Sequence, residues 1–299
     1  MQVESLDHFK SVVAHQFFVA PADSDYLIAR WLLLNGFEPE LFWHASQAVE
    51  KYLKASLVLN EQEVRSRQSN GHDLCRLYEK HVQVFGDLAL TRFERPQGLN
   101  AALWRDQPVS ELIARLTLLG SPDSRYGLMS WHRLPDDLFK MDQLCWALRR
   151  LTIGLEWRVG HGMPCDASMV RHEGETYRNA LRQDRTATPR GPVAGTECRL
   201  YPTGDSRSDL LHSWNFSYCR CPADTFQPAP PPVAPRIGPF ANSYITLFWE
   251  ILTEVDKNGA LRPLKPFVES GLRWLVEMIK LPPEVREAFE AQLAEPRGA

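Results

Sequence analysis

The sequence predicts an all-α protein built on an antiparallel helical bundle. Three observations carry this. Through most of positions 18–158 apolar residues recur at three- and four-residue steps, the period of an amphipathic helix and not of a strand. These stretches are separated by segments that place Gly or Pro where helices stop and start. The composition is that of an ordinary globular chain, with 44% apolar and 24% charged residues. It excludes wholesale disorder, collagen-like structure and an extended coiled coil.

The elements follow in order. Asp23 stands ahead of YLIARWLLLNG as an expected N-cap, and Gly36 as the C-terminal stop. A longer helix is predicted from about Pro39 to Leu59, where Phe42, Ala45, Val49, Leu53 and Leu57 form one apolar stripe. Gln47, Glu50, Lys51 and Lys54 fall on another face. NEQEVRSRQSNG reads as a loop. HDLCRLYEKHVQVFG restarts the helical period through Leu74, Leu77, Tyr78 and Val82, and Gly86 closes it. Pro108 stands where proline is tolerated at a helix start, ahead of SELIARLTLLG. SPDSRYGLMSWHRLP is a loop, and DDLFKMDQLCWALRRLTIGLEW is read as one last long helix. Five helices with loops between them make an antiparallel bundle the simplest architecture.

Positions 159–235 change character, being rich in Gly, Pro, Arg and Thr. The segments ECRLY and SWNFSYCRC are enriched in strand-forming aromatics, which suits either a β-hairpin or plain loop, and QPAPPPVAP has the composition of a polyproline II linker. Positions 236–299 return to helical patterns, in ANSYITLFWEILTEVDKNG, LKPFVESGLRWLVEMIK and PPEVREAFEAQL.

Charge narrows the function classes. With 34 basic and 37 acidic residues the net charge is −3, so no global field draws in a polyanion and any such ligand needs a local site. Of the basic residues 26 are Arg and 8 are Lys, a bias that suits phosphate recognition but is better explained by a GC-rich genome. The N-terminus makes a poor signal peptide because Glu4 and Asp7 precede any apolar stretch. No apolar run approaches the ~20 residues of a membrane span, and six cysteines in this length suit a reducing compartment. The expectation is a cytoplasmic protein without membrane partners.

Between Asp23 and Tyr78 the chain reads DSDYLIARWLL, FWHASQAVEKYLKASLVLN and GHDLCRLY, in that order. This resembles the HEPN domain family, a group of small α-helical bundles, over about residues 18–158. The run from Gln47 to Ala55 is similar to that family's second helix, Gly71-His72-Asp73-Leu74 to the opening of its third, and Arg125-Tyr126 to the Arg-Tyr pair ahead of its last helix. The resemblance implies a domain that dimerises and binds a nucleotide or RNA. It also implies the company of a nucleotidyltransferase or of defence and toxin–antitoxin proteins. One branch of the family cuts RNA without metal, using an Arg followed after four to six residues by a His.

That spacing is met by Arg65 or Arg67 with His72, Arg76 with His81, Arg125 with His132, and Arg207 with His212. Only Arg125 and His132 stand near the family's position, with Tyr126 where a polar residue commonly follows the Arg. They are the candidate catalytic pair, His for proton transfer and Arg for the phosphate charge. The candidate ligand-binding residues are Gln47, Lys51, Lys54, His72 and Tyr126. Against this, Glu50 and Lys54 are spaced as a solvated helix pair, and the His72-Asp73 position suits a helix cap. Cys198, His212, Cys219 and Cys221 form the one metal-like cluster, but the single-residue gap between the last two cysteines departs from zinc spacing. No cofactor and no metal is expected. Binding is expected as the main function, with a metal-independent ribonuclease and a helical interaction module as alternatives.

Overall fold

In the computed structural model the described residues are 6–64, 73–121, 133–161, 169–185, 252, 263, 265–278 and 283–294. They are helical, joined by turns and two isolated bridges, Arg92 with Pro108 and Arg158 with Thr176. The all-α expectation holds for these residues.

The N-terminal α1 (Leu6–Ala14) runs through a π-helical turn (His15–Val19) directly into α2 (Ala20–Asn35). Asp23 is therefore not an N-cap. The helix passes straight through it, and its carboxylate is drawn inward by Arg149 and Tyr52. Gly36 does end α2. Its φ of 81° is the left-handed conformation glycine adopts at no steric cost, and its N–H reaches the Leu32 carbonyl.

The chain then reverses through Phe37 into α3 (Glu38–Leu59), which packs antiparallel against α2. α4 (Leu74–Phe85) opens on Asp73, whose side chain accepts the Arg76 N–H at 3.1 Å, so Asp73 itself supplies the expected cap. α5 (Val109–Leu119) follows Pro108, and α6 (Asp137–Arg150) lies against α2 and α3. The last bundle helix is shorter than its sequence suggests. It stops at Leu151, before Thr152, Ile153 and Gly154, where the chain turns to pack elsewhere.

One contiguous core joins these helices: Tyr26 and Leu33 of α2, Val49 and Leu53 of α3, Leu77 of α4, Ile113 of α5 and Leu144 of α6. Packing continues beyond residue 158. α7 (Tyr177–Gln183), which sequence reading passed over, buries Leu181 with Phe85, Leu151 and Leu155. Asn60 pins the α3 C-terminus to this region, donating to the Ile153 carbonyl and accepting the Leu155 N–H, both at 2.9 Å. In the C-terminal region, α8 (Lys265–Met278) and α9 (Pro283–Ala294) pack together. The helix expected over 241–259 and the hairpin expected over ECRLY and SWNFSYCRC lie outside the described residues, Leu252 excepted.

α3 and α5 approach closely at Gly120, the residue after α5. A β-carbon there would collide with the Ser46 side chain, whose hydroxyl donates to the Trp43 carbonyl. We expect Gly120→Ala to cost about 1–3 kcal/mol in urea unfolding, the usual penalty for overpacking.

Candidate functional site

On α3 the residues His44, Gln47, Lys51 and Lys54 succeed one another at steps of three and four, so they share one side of the helix. None is fully exposed. Antiparallel pairing brings Asp25 of α2 against this stripe. Its Oδ1 lies 3.0 Å from His44 Nδ1, and its Oδ2 accepts from Lys51 Nζ. A carboxylate only accepts hydrogen bonds, so His44 carries its proton on Nδ1 and turns Nε2 outward from the pair. The His44 and Lys51 side chains are each 28% exposed, and that of Asp25 15%. No described group pairs with the Gln47 amide or with His44 Nε2.

The arrangement is a half-buried cluster, partly exposed to solvent on one side and braced by the core on the other. Tyr52, next to Lys51, donates to Asp23 at 2.5 Å, and Arg149 of α6 clasps the same carboxylate through Nε at 2.8 Å and Nη2 at 3.0 Å. Deeper in, Tyr26 donates to Asp142 at 2.6 Å, and Arg30 lies 3.4 Å from the same carboxylate. Burial and the neighbouring Asp142 charge push the Tyr26 hydroxyl well above its ordinary value, so it stays a donor. These inner groups are too enclosed to meet a ligand, but they fix the registers of α2, α3 and α6 on which the outer cluster depends.

Lys54 is held by Glu50 at 2.6 Å, as the i,i+4 spacing suggested. With side chains only 16% and 7% exposed the pair is largely desolvated, so Lys54 is less open to a ligand than Lys51. The face itself is half-buried and not solvated. Asp25 and His44 went unnoticed in the sequence. His44 stands in the same stripe as Gln47 and Lys51 and could have been found by spacing, whereas Asp25 joins only across the helical hairpin.

Arg125, Tyr126, His132 and His72 lie outside the described residues, as do Cys198, His212, Cys219 and Cys221. Of the other Arg–His spacings, Arg76 with His81 cannot act together. His81 is buried and stacks on Phe85, with Nδ1 3.0 Å from the Ser56 hydroxyl, and burial pushes its pKa down to about 3. Among the described residues no group of three or more His, Cys, Asp or Glu is placed to hold a metal ion. None of their helices is long and apolar enough to cross a membrane. A core cavity between Leu33, Phe42, Val49 and Met141 has room for about one water, about 20 Å³, and is too small for a ligand.

The described residues thus define an all-α protein with a polar cluster between its second and third helices. No family model matches the sequence, and comparison with curated proteins and with solved structures gives no match either.

Proposed function

We propose that the bundle is a HEPN-like module that binds a nucleotide or RNA, acting in the cytoplasm within a defence or toxin–antitoxin system. The observation that carries the reading is the cluster of Gln47, Lys51 and His44. It sets an amide and an ammonium, two donors of the kind a phosphate group takes, side by side at a half-open position with the His44 ring next to them. Gln47 and Lys51 belong to the same run, Gln47 to Ala55, that carries the family resemblance. The test is direct. Full-length protein should retain absorbance at 260 nm after purification at low salt, or bind labelled single-stranded RNA in fluorescence anisotropy with an affinity that falls as salt rises. Protein that binds neither RNA nor ATP at low salt would refute the reading. RNA cleavage is expected to be weak at most. Robust cleavage abolished by both Arg125→Ala and His132→Ala would promote the ribonuclease alternative.

A second reading concerns association. The outer side of α2 exposes Ile28, Trp31 and Leu34, extended by Phe17 before it and Phe37 after it. Trp31 and Phe37 stack at 5.8 Å and remain half exposed, whereas Phe42 is buried. A contiguous apolar face of this kind favours self-association over an isolated monomer. We expect sedimentation equilibrium at micromolar concentration to show a dimer that Trp31→Glu dissociates. A monomer throughout would count against it.

A further inference from the structure

One carboxylate serves two side chains in the α2–α3 cluster. Asp25 gives one oxygen to Lys51 and the other to His44, whose ring has a second nitrogen able to take a proton. With His44 neutral, Lys51 and Asp25 cancel, and an approaching phosphate meets a cluster of zero net charge. A proton taken at Nε2 makes His44 an imidazolium. Asp25 then answers two positive charges with one negative charge, and the cluster becomes singly positive.

We propose that Asp25 and His44 form a proton-operated gate that sets how strongly Lys51 and Gln47 hold a phosphodiester. The inference rests on the RNA-binding reading above and adds the regulation of that site. Surrounding charges leave the gate to this pair. On α3, Glu50 is taken by Lys54, and Glu40 is exposed one turn before His44. On α2, Asp23 is clasped by Arg149 of α6, and Arg30 is paired with Asp142 of α6. Arg115 of α5 lies over the Phe42 ring but is bound to Asp137, and Lys10 of α1 pairs with Glu61 beyond the far end of α3. Asp25 is the one acidic group within ion-pair distance of His44 among the described residues.

Anisotropy of a labelled ten-residue oligouridine tests this on the full chain at constant ionic strength. Its phosphodiesters do not titrate in the range used, and circular dichroism at each pH verifies that the fold is intact. Between pH 8 and pH 5.5 the Kd of the wild type should fall by about three- to tenfold, the effect of one added unit charge in a half-exposed setting. His44→Gln, which keeps a donor for Asp25 but no ionisable ring, should flatten that dependence. Asp25→Asn, which leaves Lys51 uncancelled, should bind at pH 8 about as tightly as the wild type does at pH 5.5. If Asp25→Asn fails to fold, His44→Gln decides alone. Equal wild-type affinity at both pH values, or a pH dependence that survives His44→Gln, overturns the gate and leaves RNA binding standing. Absence of binding at every pH overturns both.

Discussion

Asp142→Ala should destabilise the protein by about 3–5 kcal/mol, lowering the thermal midpoint by roughly 10 °C or more in a body of this size. Asp142 is fully buried, accepts the Tyr26 hydroxyl at 2.6 Å and faces Arg30, itself 4% exposed. Removing the carboxylate takes the acidic partner from a buried guanidinium and the acceptor from a buried hydroxyl, and the cost is that of desolvated polar groups far more than of lost packing. The double variant Arg30→Met, Asp142→Leu removes both charges and should recover part of the loss, the buried Tyr26 hydroxyl still lacking its acceptor. Chemical unfolding of the two variants distinguishes the accounts: a double variant as unstable as the single one would show that shape, not charge, accounts for the stability here.

The second large effect is pH-dependent and comes from His81. The folded core holds its ring neutral down to about pH 3, whereas in the unfolded chain the ring takes a proton below about 6.5. The unfolded state thus binds the extra proton, and stability is complete above pH 6.5 and is lost as pH falls toward 3. The slope is about 1.4 kcal/mol per pH unit, or roughly 2–3 kcal/mol by pH 4.5. His81→Phe retains an aromatic ring against Phe85 and leaves the Ser56 hydroxyl on the Leu53 carbonyl. Urea midpoints measured from pH 7 to pH 4.5 should therefore decline less for this variant than for the wild type. Parallel declines would show that carboxylates alone drive the acid limb.

What the sequence disclosed follows from where the physics is local. α3 was legible from its long apolar stripe through Leu53 and Leu57, and α4 because its stripe lies between a cap at Asp73 and a stop at Gly86. The join of α1 to α2 was not. The π turn at His15–Val19 shifts the phase of the apolar stripe, so the positions buried before and after it do not fit one 3.6-residue period. α7 is only seven residues long and buries Tyr177, Ala180 and Leu181 at helical steps, a signal too short to stand out beside Arg178, Asn179 and Arg182. At the site, Gln47 and Lys51 were found because they share a helix, and Lys54 was found together with the Glu50 that holds it. Asp25 was invisible for the opposite reason, since its role arises only when α2 folds back on α3. Asp23 illustrates the same limit. An acidic residue ahead of an apolar run reads as a cap, and only tertiary packing against Tyr52 and Arg149 makes it a buried anchor.

On the proposed function, the bundle holds its ligand at the α2–α3 cluster. That placement is tested most directly by the oligouridine binding isotherm of the double variant Gln47→Ala, Lys51→Ala at pH 7 in low salt, beside the wild type and Lys10→Ala. Lys10 is paired with Glu61, beyond the far end of α3, and serves as the control for lost charge elsewhere. The Kd of the double variant should be at least about tenfold weaker, from the loss of two hydrogen bonds to an anionic acceptor, with little change for Lys10→Ala. A folded double variant that binds as tightly as the wild type would contradict that placement.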